Sequence, residues 1–184
     1  RATREKLDHI KLDIRTSGST VVIEANKKDD AWTSHKDNVV ETEFDIQVPR
    51  GAKLKIDVFS SSVRIRNVTG EQSIHTFSGE ARVEDGASRI AAKTFSGGVS
   101  VKLAVGAAGP DLDLETFSGR IDVSLPEGAR AGVSFDSFSG TLKCDWPMTL
   151  HEQRRGRLRA DLNGGDAQRS LRMKTFSGDA TIGK

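Results

Sequence analysis

A short motif, Thr-Phe-Ser-Gly, recurs along the chain and constrains its fold more than any other feature. Six copies occur, at 58–61, 76–79, 94–97, 116–119, 137–140 and 175–178, of which the first is degenerate and the fifth begins with Ser. Their phenylalanines are separated by 18, 18, 22, 21 and 38 residues. A period near 20 residues is too short for a helical-hairpin repeat and too long for a heptad. It suits one coil of a solenoid.

The flanks of the motif repeat as well. Positions five and three before each Phe, and four and six after it, are mostly apolar, with polar residues between them; around Phe95 they are Ile90, Ala92, Val99 and Val101. Such alternation indicates strands with one buried face, so each unit is predicted as strand, Ser-Gly bend and strand. We therefore predict an all-β, right-handed parallel β-helix (β-solenoid) with coils of about 18–22 residues and two main strands each. An antiparallel β-sandwich is the alternative.

The position of the Phe side chains follows from the bend. Before the Phe the apolar residues lie at odd-numbered distances from it, and after the Phe they lie at even-numbered distances. The chain must therefore turn a corner near the Phe. We expect the rings inside, as a structural ladder, because a row of exposed rings would promote aggregation; a surface stripe under a loop or partner is the alternative. Gly would supply a backbone conformation forbidden to other residues. The ladder comprises Phe59, Phe77, Phe95, Phe117, Phe138 and Phe176 with Gly79, Gly97, Gly119, Gly140 and Gly178.

The sequence predicts a single β-solenoid domain over residues 1–184, which is long enough for a substantial core. Along it we expect N-terminal strands and a degenerate first coil at 10–48, regular coils at 54–146, an irregular excursion at 147–170 and the last coil at 171–184. The excursion is predicted either as a coil without Phe or as a hairpin lying on the stack.

The ordered set of motifs resembles a known family. Thr16-Ser17-Gly18, the strand end at Val48-Pro49 and the successive Thr-Phe-Ser-Gly units are similar to a bacterial adhesin family, a domain of unknown function with repeated Thr-x-Ser-Gly coils. The similarity covers nearly the whole chain. It implies a β-helix displayed outside the cytoplasm, in the cell envelope, and it supplies no catalytic residues. The regular Phe departs from the family's pattern.

Composition excludes several classes of function. Lys and Arg number 28 and Asp and Glu 26, a balance that argues against a nucleic-acid surface, which needs a clustered basic excess. The single cysteine, Cys144, cannot form a disulfide or zinc framework within the chain. No run of residues approaches the length of a transmembrane segment. Because the chain begins at Arg1 rather than Met, we expect that a signal peptide or an anchor precedes it.

Residues suited to catalysis or metal binding are scattered. The histidines lie in different segments, at His9, His35, His75 and His151, so no metal site is predicted. The repeated Ser lacks the Gly-x-Ser-x-Gly elbow of a hydrolase nucleophile. We therefore predict no catalytic residues, no metal and no cofactor.

Acidic residues on the outward face provide the main argument for an enzyme. Glu115, Asp122 and Asp136 come from neighbouring coils, and β-helix enzymes that cleave polysaccharides use clustered acids. Lys93 and Lys143 lie among them, which favours a mixed, solvated face. Trp32 and Trp146 are the candidates for stacking on a sugar ring.

Two functions are therefore compared. The favoured one is a non-catalytic cell-envelope module that contacts an unknown envelope protein or glycan, and the alternative is a carbohydrate-active β-helix enzyme. Weak ligand-contact candidates are Arg154, Arg155, Arg157, Arg159 and Trp32. Because the chain ends two residues after Ile182, the strand 180–182 is expected to be an open edge, through which two copies form a weak homodimer.

Overall fold

The structure, a computed structural model, describes residues 12–25, 43–107 and 109–184. Over these residues it is all β, with no helix. The chain divides into two compact units, residues 1–47 and 48–184.

The first unit contains an antiparallel hairpin. Strands β1 (Leu12–Ser17) and β2 (Thr20–Ala25) pair directly and are joined at Gly18, whose φ is +58°. The degenerate first coil predicted here is wrong for these residues, because the two strands form a separate two-stranded antiparallel sheet, whereas a coil would place one strand in each of two parallel sheets.

Two further expectations concern the segment that leads into the second unit. Alternation predicted a strand up to Val48, but residues 43–48 do not form a strand, and the beginning of that segment lies outside the described residues. Trp32, one of the ligand-contact candidates, also lies outside them.

Residues 48–107 and 109–184 of the second unit form fourteen strands. They are β3 (Leu54–Ser60), β4 (Val63–Arg66), β5 (Gln72–Ser78), β6 (Ala81–Gly86), β7 (Ile90–Ser96), β8 (Val99–Leu103), β9 (Asp111–Ser118), β10 (Ile121–Ser124), β11 (Ala131–Ser139), β12 (Leu142–Cys144), β13 (Met148–Arg154), β14 (Arg157–Leu162), β15 (Ser170–Ser177) and β16 (Ala180–Gly183).

These strands form two sheets. The eight-stranded sheet has the order β13-β14-β11-β15-β9-β7-β5-β3, and the six-stranded sheet has the order β12-β16-β10-β8-β6-β4. Each Thr-Phe-Ser-Gly motif ends a strand of the first sheet, and the next strand belongs to the second. Neighbouring strands are parallel throughout, apart from β11, β14 and β13, which pair in antiparallel fashion. An antiparallel sandwich is therefore the wrong description of these sheets.

The strand order departs from the chain order at one place. The last two strands lie inside the sheets, since β15 pairs with both β9 and β11, and β16 pairs with both β10 and β12. The prediction that Ala180–Gly183 is an open edge is therefore wrong, because both sides of this strand are already hydrogen-bonded. The proposed homodimer through that edge loses its structural basis.

The excursion at 147–170 forms the β13–β14 hairpin. It extends the eight-stranded sheet beyond β11 by two antiparallel strands. Ala160 and Leu162 of β14 are buried there, so the hairpin contributes to the core at this end of the unit.

The core lies between the two sheets. Ile74, Ile90 and Leu114 from the eight-stranded sheet and Val101 and Ile121 from the six-stranded sheet are at most 1% exposed. Equivalent positions of successive repeats stand in register, so these side chains stack in columns. Burial of each such side chain contributes about 1.5–3 kcal/mol.

Candidate functional site: an exposed phenylalanine ladder

The Phe of each motif points outward, because the bend comes after it. In β5, Ile74 and Thr76 are buried while His75 and Phe77 are exposed, an alternation that runs unbroken through the Phe. The chain turns only at Ser78 and Gly79, and Ala81 is the next inward residue. The prediction that the Phe side chains lie inside is therefore wrong. The inward member of the motif is its Thr.

Buried Thr and close-packed Gly together hold each corner. The Thr94 hydroxyl bonds to the Gly97 carbonyl oxygen at 2.7 Å, and Thr175 makes the same bond to Gly178 at 2.9 Å. A Cβ on Gly119 would overlap the carbonyl of Gly97 in the neighbouring corner. Gly79, Gly140 and Gly178 face an equivalent carbonyl at their own corners, and the corners can stack at strand spacing only because these residues lack a side chain.

At two corners the backbone conformation is a second reason why the residue must be Gly. Gly79 and Gly97 have φ values of +148° and +150°, which side chains rarely tolerate. Gly119, Gly140 and Gly178 have no such φ value, so only the close approach of a neighbouring carbonyl requires Gly there.

Six exposed rings form a continuous stack, which we call the Phe ladder. In spatial order its members are Phe59, Phe77, Phe95, Phe117, Phe176 and Phe138. Adjacent ring centroids lie 4.7–4.9 Å apart with planes inclined by 1–6°. The four inner rings are 43–47% exposed, whereas Phe59 is 73% and Phe138 75% exposed. The inner rings cover one another's faces, so the ladder offers mainly ring edges to a ligand.

A row of charged residues runs beside the ladder, two residues earlier in each strand. This charged row consists of Asp57, His75, Lys93, Glu115, Lys174 and Asp136, in spatial order. Arg157 of β14, which carries no motif, lies next to Asp136 at the end of the row. Neighbours in the row pair with each other: His75 Nδ1 lies 3.0 Å from Asp57 Oδ1, and Glu115 accepts from Lys93 at 3.3 Å and from Lys174 at 3.1 Å. The row therefore neutralises itself along much of its length.

Two carboxylates of the charged row are held in the ionised form. Burial raises the pKa of Glu115, but hydrogen bonds from Lys174 and Lys93 outweigh it and leave the pKa below its ordinary value. Burial likewise raises the pKa of Asp136, and hydrogen bonds from Arg159 and Arg157 reverse the shift. A lowered pKa makes both groups poor proton donors near neutral pH.

The ladder and the charged row border an open groove of about 1090 Å³. Gly156, at the turn of the β13–β14 hairpin, lines the groove beside Phe138. Small-molecule pockets usually enclose about 300–1,000 Å³ and surround their ligand. This groove is instead open along the sheet, which is the form of a surface for an extended or flat partner.

The predicted acidic residues lie on three strands in two different sheets. Glu115 and Asp136 stand on the eight-stranded sheet with Lys174 of β15 between them, since β15 lies between β9 and β11. Asp122 lies on β10 in the other sheet. Glu115 is paired with Lys93 and Lys174, and Asp136 with Arg157 and Arg159, so each carboxylate on the eight-stranded sheet contacts cations.

The predicted arginines belong to the hairpin at the end of the charged row. Arg157 and Arg159 both contact Asp136, at 3.1 and 3.0 Å. Arg154 pairs with Glu152 at 3.1 Å, and Arg155 is exposed at the turn. Three of the four are thus engaged with acidic residues of this chain.

The remaining reactive side chains are dispersed. His75 and His151 pair with Asp57 and Asp161, respectively. Burial raises the pKa of the Cys144 thiol, which makes it a weak nucleophile. Across residues 12–25, 43–107 and 109–184, no group of three or more His, Cys, Asp or Glu side chains is arranged to hold a metal ion.

Comparison with known proteins identifies the family. A family model described as Toastrack DUF4097 matches residues 12–183. The chain belongs to the Toastrack family. No curated protein and no solved structure matches it. In the part of this Toastrack chain that the structure describes, no helix is long and apolar enough to cross a membrane.

Sequence reasoning missed the charged row as a unit of this Toastrack chain. The signal was present, because the residue two positions before the motif Phe is titratable in all six copies. Because the Phe side chains were predicted to lie inside, the phenylalanines and the titratable residues were expected on opposite faces of the strands. The spatial order of the row was also hidden, since Lys174 precedes Asp136 in space but follows it in the chain.

Proposed function

We propose that this chain is a non-catalytic module of the bacterial cell envelope, folded as a right-handed β-solenoid, that binds a protein partner through the Phe ladder. The solenoid is supported by successive repeats that pair in parallel at strand spacing, and its hand by the strong preference of parallel crossovers. The extracytoplasmic location rests on the family resemblance. The adhesin role that the resemblance suggests is one form of such binding.

One observation carries the binding proposal, namely that six Phe side chains lie exposed in one unbroken stripe. Burying a Phe stabilises a protein by about 1.5–3 kcal/mol, so an exposed row forgoes a large stabilisation. Contiguous apolar patches of this kind mark interaction surfaces on soluble proteins. The neighbouring charged row keeps the face hydrated until a partner covers it.

The ring arrangement favours a protein over a glycan as the ligand. Sugars stack on aromatic ring faces, and the inner faces of the ladder are occupied by neighbouring rings. Trp146 is engaged as well, because its Nε1 donates to the Gly183 carbonyl at 3.0 Å and Lys184 lies 5.3 Å from its ring centroid. The ion-paired Glu115 and Asp136 give no support to the carbohydrate-active alternative.

Site-specific photo-crosslinking in cells that express the chain tests this function. A photoreactive phenylalanine analogue at Phe95 should crosslink to a protein in the envelope fraction. The same analogue at Ser100, on the outer face of the six-stranded sheet, should not. The crosslink should be lost with Phe117→Asp and kept with Val105→Asp, since Val105 is 97% exposed and lies outside the ladder.

Two results would overturn the proposal. One is equal crosslinking from Phe95 and Ser100, which would mean that the ladder face is not the binding surface. The other is turnover of a cell-wall or capsular glycan by the purified protein, abolished by Glu115→Gln or Asp136→Asn.

A further inference from the structure

The exposed surface of the Phe ladder approaches the size of one side of a stable protein interface. With about 200 Å² per Phe side chain, the exposed fractions correspond to about 650 Å² of ring surface. The largest apolar patch on a typical monomer is about 300–600 Å². Each partner of a standard protein complex contributes about 800 Å². The rings alone therefore supply most of an interface of ordinary size.

The spacing of the ladder restricts which surface can cover it. Each ring lies 4.7–4.9 Å from the next over a length of about 24 Å, which is the spacing of adjacent β-strands. A partner that contacts every ring must present apolar groups with the same repeat. A second copy of this chain has that repeat, because it carries the same ladder.

The charged row decides how two copies can face each other. A two-fold axis perpendicular to the ladder would place charged row against charged row, with Asp57 opposite Asp136, His75 opposite Lys174 and Lys93 opposite Glu115. The two aspartates would repel each other, and the ion pairs that each row already makes would lose water without gaining a better partner. A two-fold axis parallel to the ladder instead places the two charged rows on opposite sides of the paired ladders, where each keeps its own ion pairs.

From these three observations we infer that a second copy of this chain covers the Phe ladder. The two copies are related by a two-fold axis parallel to the ladder, so that each ring meets the same ring of the other copy. The interface is isologous and closed, which gives a dimer rather than a fibre. This inference rests on the proposed function and names its partner.

Sedimentation equilibrium of the full chain tests the dimer. The unmodified protein should sediment as a dimer, and Phe95→Asp should raise the dissociation constant at least about 100-fold, because the change places two carboxylates at the centre of an apolar interface. Val105→Asp is the matched control and should change it less than about 3-fold, in line with an exposed site outside the interface. Circular dichroism establishes that both variants are folded.

Disulfide crosslinking tests the orientation without relying on a destabilising change. In a Cys144→Ser background, Phe95→Cys should form a disulfide-linked dimer on mild oxidation, because equivalent positions face each other. A mixture of Phe59→Cys and Phe138→Cys chains should not form the mixed disulfide that a perpendicular axis would give.

The outcomes separate this inference from the proposed function. A monomer at the highest soluble concentration, or the mixed disulfide between positions 59 and 138, would overturn the inferred dimer. A Phe95 photo-crosslink that joins the chain to a different protein would overturn the dimer as well, while leaving the proposed function intact. Crosslinks between two copies of this chain support both.

Discussion

At the residue scale, three of the four positions of the motif, Thr, Phe and Gly, have separate physical roles. Thr is buried and bonds to the corner carbonyl, Phe is exposed and stacks on its neighbours, and Gly admits the adjoining corner. The Thr94 bond lies within one copy of the motif, whereas the Phe and Gly contacts join neighbouring copies. Each copy must therefore fit the copies on either side of it.

Replacing one motif glycine tests the close approach of the corners. Gly119→Ala should lower the free energy of unfolding by about 3 kcal/mol, because its Cβ would meet the Gly97 carbonyl, and that carbonyl is held by the Thr94 and Thr116 hydroxyls. The control Gly51→Ala should be nearly neutral, since no atom lies within 4 Å of the added Cβ. Urea denaturation measures both. Equal unfolding midpoints for the two variants would show that the corners are not tightly stacked.

The ionised Glu115 predicts a particular pH dependence of stability. Its pKa in the folded state lies below the ordinary value of 4.5, so the stability that it adds is present above pH 4.5 and is lost as the pH falls through the folded-state value. Glu115→Gln should therefore be less stable at neutral pH, by less than about 1 kcal/mol because the ion pairs are partly exposed.

The same variant should match the unmodified protein well below pH 4.5, where both side chains are uncharged. Urea midpoints at the two pH values provide the measurement. The control is Glu127→Gln, because Glu127 is exposed and has no ion pair within the described part of the chain. If the urea midpoint of Glu115→Gln remained equally lowered at low pH, the ionised form of Glu115 would not be the source of the stability difference.

The sequence predicted the inward strand positions but not the outward Phe. Alternation at Ile90, Ala92, Val99 and Val101 identified the buried faces, and all four residues are buried. The Phe was misplaced because hydrophobicity alone favoured burial, and the position of the bend, after rather than at the Phe, decides its direction. Ring-on-ring stacking reduces the exposed surface of the inner rings, a mutual effect that a single copy of the motif does not reveal.

At the element scale, the sequence predicted the paired strands of each repeat. For residues 147–170 it left open a coil without Phe or a hairpin on the stack, and the structure has a hairpin that extends the eight-stranded sheet. It did not predict that β15 and β16 lie between the repeats β9–β10 and β11–β12. Repeats that resemble one another can exchange neighbours without loss of alternation, so the pattern carries no information on their spatial order. Contacts such as Lys174 with Glu115, which are 59 residues apart, fix that order.

The inserted position of β16 predicts slow hydrogen exchange. Its amides should exchange as slowly as those of β10, because both strands have hydrogen-bonded neighbours on both sides, whereas amides of the edge strand β12 should exchange faster. Exchange followed by mass spectrometry or nuclear magnetic resonance measures this. Faster exchange in β16 than in β12 would contradict the strand order.

At the scale of the whole molecule, the second unit presents two different faces. The eight-stranded sheet carries the Phe ladder and the charged row, while the outer face of the six-stranded sheet presents Arg64, Arg82 and Lys143 together with Asp122. The second unit therefore has one face with an exposed apolar stripe and one face that is mainly charged. The crosslinking and sedimentation experiments above are directed at the first of these.

The inserted strands also determine when the two sheets can be completed as the chain emerges from its N-terminal end. β11 to β14 emerge before β15 and β16, yet β11 and β12 need those later strands as their parallel neighbours. The repeats from β3 to β10 can assemble in chain order. In contrast, β11 and β12 each have an unpaired edge until β15 and β16 arrive. Completion of the sheets is thus tied to the arrival of residues 170–183, and a nascent chain is exposed to mispairing until then.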